Sequence, residues 1–209
     1  MAADVIPMPS DGWRHAGEVL CRAFEDGPLL RAIFPDDTTR PECTRAFMTY
    51  AARMWLSSGR VIETTPSHAG YMVWEAPGHK DPPLVYLRSP VLLFRYLRSA
   101  SQEDAKRAQD WLEYTEKRRH ELLPVPHWYA VILGVAPNRQ RYGHGAVLTR
   151  RGVARADASG LPAFLETNTE SNRRLYEKLG FDVIESGLDD VLCIPVWRML
   201  HRPDPQPSS

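Results

Sequence analysis

The sequence has no apolar run approaching the about 18 residues that a bilayer-spanning helix requires, so no membrane partner is expected. The opening Met-Ala-Ala-Asp-Val-Ile-Pro has no basic stretch leading into an apolar one, so it does not read as a secretory signal. Cysteine is scarce. Cys21, Cys43 and Cys193 lie far apart without metal-ligand spacing, which argues against a disulfide framework or a zinc site and points to a reducing cytoplasm. An excess of one charge is also missing. The 26 Lys and Arg are balanced by 26 Asp and Glu, and the pI is near 7.1. A broad phosphate-neutralising surface, and with it a nucleic-acid partner, is therefore not expected. Internal repeats are lacking too. What is present suits one globular domain: 209 residues, 43% of them hydrophobic, enough to bury a sizeable core. Residues 1–202 read as that single domain, and the Pro-rich end, 203–209, as a disordered tail.

The first half alternates short apolar patches with turn signals. Residues 3–8 suit a short strand, and Ser10 or Asp11 offers an N-cap for a helix carrying Trp13, Val19, Leu20 and Phe24. Gly27-Pro28 interrupts, and Leu29, Leu30, Ile33 and Phe34 form a second apolar patch. Helical spacing of Phe47, Tyr50, Ala51 and Met54 predicts a helix from about Pro41 to Leu56, ended by Gly59. Arg60–Glu63 and Ala69–Glu75 read as two strands joined by Pro66-Ser67-His68. Residues 84–123 differ in character. Leu84 to Tyr96 is apolar and aromatic with arginines, and Gln102 to His120 is charged and helical, so the segment reads as a helical insertion before the central strand.

That central strand is residues 127–136, a continuous apolar run suited to burial on both faces. After it come Gln140-Arg141-Tyr142-Gly143-His144-Gly145, a helix from about Ala146 to Ala158, a strand at Ala163–Thr167, a helix at Asn172–Leu179, and strands at Phe181–Glu185 and Val191–Met199. A strand that runs into a Gly-x-Gly turn and then a helix is suited to phosphate binding. Glycine lets the backbone approach closely, and the helix N-terminus offers free N–H groups and the favourable end of its dipole. The loop is not an NTPase phosphate loop, since Gly145 is followed by Ala146-Val147 instead of Lys-Ser/Thr. Nor is it a dinucleotide fingerprint, since Leu148 stands where the third small residue is needed.

Gln140-x-x-Gly143-x-Gly145 after an apolar strand resembles the acyl-CoA pyrophosphate loop of the GNAT acetyltransferase superfamily. Asn172-Arg-Arg-Leu-Tyr176-Glu-Lys-Leu-Gly180-Phe181, one helix and one strand later, is similar to the family's second signature. The resemblance covers about residues 127–185, and within the superfamily this half most resembles the puromycin N-acetyltransferase-like proteins. It implies an α/β (α+β) GNAT fold: a splayed mixed β-sheet flanked by helices. It also implies acetyl-CoA as acyl donor, with a pantetheine arm lying along the backbone of Leu133, Gly134 and Val135. The pyrophosphate would then lie on the loop Gln140, Arg141, Tyr142, Gly143, His144, Gly145 and Ala146, with Asn172 contributing a further contact. Arg141-Tyr142 departs from the small or basic pair common in relatives, but the loop amides remain.

The chemistry implied is direct attack of an amine on the thioester. It needs an unprotonated amine, a stabilised oxyanion and a proton for the departing thiolate. Tyr176 is the candidate acid, because a phenol with a reference pKa of about 10 stays protonated at neutral pH. Packing of helix on sheet is its plainer role. Asn172 could equally be the N-cap of its helix. Glu166 and His127 are the candidate bases. Alternation along the strand places Glu166 opposite Leu165 without saying which face is the cleft, and a lone histidine at a strand start is often structural. Phe34, Tyr50, Trp55, Trp74, Tyr96 and Trp111 suit mostly core, with some left for an acceptor pocket. The function expected is N-acetylation of a primary amine of a small molecule, by a monomer or homodimer and without a metal. The alternatives are a protein or peptide acceptor, and a CoA-binding sensor without transferase activity.

Overall fold

The computed structural model describes residues 5–203, so the expectations for residues 3 and 4 and for 204–209 lie outside the described residues. Strand β1 (Ile6–Pro7) leads into helix α1 (Trp13–Phe24), which buries Ala16, Val19, Leu20 and Cys21 along one face. Neither Ser10 nor Asp11 caps it. Gly12 takes the cap position without a side-chain bond. The second apolar patch is helix α2 (Pro28–Ile33), because Pro28 sets the first turn and Leu30 and Ile33 are drawn into the core. Helix α3 (Arg40–Ser58) ends on Gly59 at φ +83°, as the glycine there predicts.

Strands β2 (Val61–Thr64) and β3 (Gly70–Glu75) form the expected hairpin. A 3₁₀ turn (Val85–Arg88), helix α4 (Pro90–Ser99) and helix α5 (Gln102–Leu122) make up the insertion. Ser101 and Asp104 close a reciprocal capping box at the start of α5. The second half supplies β4 (Trp128–Val135), α6 (His144–Ser159), β5 (Ala163–Thr167), α7 (Glu170–Glu177), β6 (Asp182–Leu188) and β7 (Pro195–His201). The last strand starts later than its apolar run suggests. Asp189 Oδ1 accepts from the Val191 and Leu192 amides at 3.0 and 2.8 Å, and so holds those residues in a turn.

The strands form one seven-stranded sheet in the order β1-β2-β3-β4-β5-β7-β6, antiparallel except for the β4–β5 pair. Two apolar clusters fill the two faces. Leu20, Ile33, Phe34, Tyr50 and Tyr96 pack with α1 to α5 on one side. Trp74, Leu148, Leu165, Tyr176 and Phe181 pack with α6 and α7 on the other. Of the aromatic residues considered for an acceptor pocket, Phe34, Tyr50, Trp74 and Tyr96 are buried, and Trp55 and Trp111 are half-buried against the first cluster. Helix α6 lies so close to the sheet that a Cβ on Gly152 would come within 2.0 Å of the Trp74 ring.

Candidate active site

The site begins where two parallel strands part. β4 and β5 pair only at Trp128–Ala163, Tyr129–Phe164 and Ala130–Leu165. Beyond that point Glu166 and Thr167 stay with Arg198 and Trp197 of β7, while Ile132 to Val135 stay with β3. Val131 is the extra residue of a bulge, since Val73 faces Ile132 and Trp74 faces Ala130. The apolar run of β4 predicts burial on both faces. Ala130 and Gly134 are buried, but Val131, Ile132, Leu133 and Val135 are only half-buried, because β5 has left their flank. Their main-chain groups on that flank lack a strand partner. Ala136 N–H donates to Ala69 of the β3 side, so the Val135 carbonyl points the other way, into the opening, where Gln140 Nε2 donates to it at 3.2 Å.

The Gly-x-Gly loop lies at the mouth of this opening. Gly143 is the N-cap of α6 at φ +84°, a conformation for which glycine is the usual choice, and Arg141 also sits at a positive φ of +68°. Gly145 is different. A Cβ there would meet Leu133 at 3.5 Å and Leu175 at 3.9 Å, ordinary contacts, so glycine keeps the mouth clear without relieving a clash. The first bond of α6 runs from Val147 N–H to the Gly143 carbonyl. Among the described residues the amides of Arg141 to Ala146 have no acceptor, a cluster of free donors at the positive end of a helix. From Pro137 to Ala156 there is no Asp or Glu, and Arg139 and Arg141 stand exposed with no ion-pair partner among the described residues. Tyr142 is exposed at the loop tip. The His144 Nδ1 is buried without a partner. This donor set fits a polyphosphate.

Tyr176 and Glu166 fall on opposite sides of the sheet. Tyr176 projects from α7 into the cluster of Leu148, Leu165 and Phe181, and its hydroxyl has no hydrogen-bond partner among the described residues. Burial pushes its phenol well above the ordinary range. Asn172 is exposed and is not the N-cap. Thr169 holds that position, and its hydroxyl accepts from the Asn172 amide at 3.3 Å.

Leu165 joins the Tyr176 cluster, which turns Glu166 toward α5. There its carboxylate accepts from Arg198 Nε at 2.7 Å and, weakly, from the Tyr129 hydroxyl at 3.4 Å. Arg198 also reaches Glu185, which pairs with Arg118 of α5, and the Arg198 guanidinium lies over the Tyr114 ring. Burial raises the Glu166 carboxyl and Arg198 opposes it; desolvation is the larger effect, so the group sits above the usual carboxylate range. The sequence reading missed Tyr129, Arg118, Glu185 and Arg198. One signal was available: Arg198 interrupts the apolar run of β7, and a lone arginine in a buried strand calls for a carboxylate partner.

The expectation that His127 serves as base needs correction. Its Nδ1 lies 2.6 Å from the Val125 carbonyl, which only accepts, so Nδ1 carries the proton. Its Nε2 lies 3.2 Å from Arg119 Nη1, which only donates, so the remaining lone pair is occupied. Burial also lowers its pKa. The ring is held neutral with both nitrogens engaged. It braces Arg119, which also pairs with Glu75 and Glu116 and lies 4.4 Å over the Tyr129 ring.

The acetyltransferase (GNAT) family matches residues 106–181, from α5 through the Gly-Phe that follows α7. An uncharacterized N-acetyltransferase of Schizosaccharomyces pombe is 28% identical over 178 residues, covering 81% of this chain and 70% of the relative. A Corynebacterium glutamicum protein described as histone acetyltransferase HPA2 and related acetyltransferase superposes with a TM-score of 0.70 at 20% identity, over 100% of both chains. The fold is that of the GNAT acetyltransferases. A putative arylalkylamine N-acetyltransferase 7 from the mosquito Aedes aegypti shares it, with a TM-score of 0.62 at 14% identity over 95% of this chain and 86% of that one. Family match, relative and fold together support a GNAT-superfamily N-acetyltransferase. The β4–β5 opening and the α6 loop lie on the Tyr176 side of the sheet, and Glu166 faces the other side.

Proposed function

We propose that this protein transfers the acetyl group of acetyl-CoA to a primary amine of a small molecule. The observation that carries the reading is the parting of β4 and β5, with Tyr176 on the face of the phosphate-binding loop and Glu166 on the opposite face. Acetyl-CoA supplies the activated thioester. The free amides of residues 141–146 would hold its pyrophosphate, and the unpaired edge of Leu133, Gly134 and Val135 its pantetheine arm. Asn172, exposed near the start of α7, is available for a further polar contact.

Donor and acceptor then meet through the opening. The amine nitrogen bonds to the acetyl carbon, the carbon–sulfur bond breaks, the amine loses a proton toward Glu166, and the departing thiolate takes one from the Tyr176 hydroxyl. Glu166 suits the base role because burial raises its proton affinity, while Arg198 and Tyr129 fix its orientation. Tyr176 suits the acid role because its proton is retained at the working pH. A cytoplasmic setting is part of the proposal. The arylalkylamine-directed structural relative supports a small amine, and the resemblance to puromycin N-acetyltransferase-like proteins makes puromycin one amine to test.

Glu166→Gln tests the base. It keeps the shape and leaves Arg198 paired with Glu185, so it should fold and retain acetyl-CoA affinity while kcat falls about a hundredfold. In the wild type, activity should be lost as pH falls through the raised carboxyl pKa, and this acid limb should vanish in the variant. An unchanged kcat would remove Glu166 from the mechanism.

A further inference from the structure

We infer that the outer face of the inserted segment, the 3₁₀ turn and α4, is a docking surface for an anionic lipid bilayer. The expectation of no membrane partner rested on the absence of a spanning run. Among the described residues no helix is long and apolar enough to cross a membrane, but interfacial binding needs only an apolar face with basic residues on it.

Helix α4 turns Tyr96 inward and half-buries Leu92 and Leu93 against the core. On the outer side Val91 is 77% exposed, Phe94 66% and Leu97 53%, three apolar side chains one helical step apart. The preceding turn adds Leu84, Tyr86 and Leu87, also exposed. Exposed apolar side chains grouped in one segment in this way are the mark of a contact surface. The patch is held in place from below: the Tyr50 hydroxyl donates to the Tyr86 carbonyl at 3.1 Å, and Arg88 donates to the Ser57 carbonyl at 2.9 Å.

Charge selects the partner. From Pro82 to Gln102 the chain has Arg88, Arg95 and Arg98 and no Asp or Glu, although the whole protein has equal numbers of each sign. Arg95 and Arg98 are exposed and have no ion-pair partner among the described residues. Around the helix Arg98 falls between Val91 and Phe94 and Arg95 flanks Val91, so Val91, Phe94 and Leu97 can enter the headgroup layer while the guanidinium groups stay with the phosphates. An anionic bilayer offers apolar depth and negative charge together over the whole patch. The surface lies on the Glu166 side of the sheet, since α5, which follows α4, roofs that face through Tyr114 and Arg118. Docking there would present the acceptor side to amines dissolved in the membrane surface.

The test is co-sedimentation of the full chain with vesicles of phosphatidylcholine alone and of phosphatidylcholine mixed with phosphatidylglycerol. Binding should occur only to the mixed vesicles and weaken with added salt. R95Q/R98Q should lower it by about tenfold or more, since each basic residue at an anionic surface contributes about fivefold. V91S/F94S should lower it by about tenfold from lost apolar insertion. Both variants should keep the wild-type thermal transition and acetyl-CoA turnover with a soluble amine, because none of the four side chains touches the opening. Three results would overturn the inference. One is wild-type protein left in the supernatant with mixed vesicles at low salt. Another is equal binding by folded variants. The third is light scattering that shows a dimer dissociated by V91S/F94S, which would make the patch an interface between two copies.

Discussion

The Tyr176 hydroxyl has no partner among the described residues, and burial lifts its pKa well clear of neutrality. Tyr176→Phe should therefore leave acetyl-CoA affinity almost unchanged and lower kcat by about a hundredfold, the span of one general acid. Steady-state kinetics beside calorimetric binding checks both halves. His127 makes a different prediction, one of stability. Its folded-state pKa is depressed, so the unfolded chain takes up a proton that the folded chain refuses. The stabilisation is complete above the ordinary histidine value and is lost as pH falls through about 6.5 toward the folded value. Thermal melts from pH 7.5 down to 5 should show the wild type losing more Tm than His127→Gln does, while kcat/KM of the variant stays close to wild type. A large kcat loss with intact stability would return His127 to the chemistry. The two residues differ in how legible they were. Tyr176 could be singled out as a candidate because its motif is local. The blocking of His127 was not, because its second partner is Arg119 on a separate helix. Glu166 was named without its surroundings for the same reason, as Arg198 comes from a strand 32 residues further on.

Among the elements, the α6 loop and β4 carry the account. Gly143 holds φ +84°, and a Cβ added there would meet nothing within 4 Å, so the constraint is conformational and steric crowding is absent. Asn and Asp both tolerate the left-handed region and differ chiefly in charge. Gly143→Asn should lower Tm by about 2–4 °C, the effect of about 1 kcal/mol in a domain of this size, and keep acetyl-CoA affinity within a few-fold. Gly143→Asp should show a similar Tm but lose affinity by tenfold or more, because a carboxylate would face the pyrophosphate. Equal affinities in the two variants would sever the loop from phosphate binding. The identity and order of these elements could be read from periodicity and from the glycines at 59, 143 and 160, each of which sits at positive φ. Exposure of β4 could not. An apolar run reports that a strand avoids water, but only the departure of β5 after Leu165 shows that a flank is left open.

For the whole molecule, the neutral charge conceals an uneven distribution. Residues 137 to 156, the loop and most of α6, carry no acidic group, and neither does the inserted segment from 82 to 102. The first basic stretch lies at the mouth of the β4–β5 opening, where it suits a polyphosphate. The second lies on the outer surface of the insertion. Overall composition excluded a generally basic surface, yet it could not separate these two regions, because strand order and helix packing decide where each stretch faces. The central claim joins the basic mouth to the two faces of the opening: acetyl-CoA binds on one side and an amine is acetylated from the other. The most direct measurement is acetyl-CoA binding by calorimetry followed by thiol release with a panel of arylalkylamines, puromycin and a lysine-bearing peptide. The account predicts binding and amine-dependent thiol release, fastest with a small amine. Absence of acetyl-CoA binding would contradict it, and binding without thiol release for any amine would leave a CoA-binding protein in place of the enzyme.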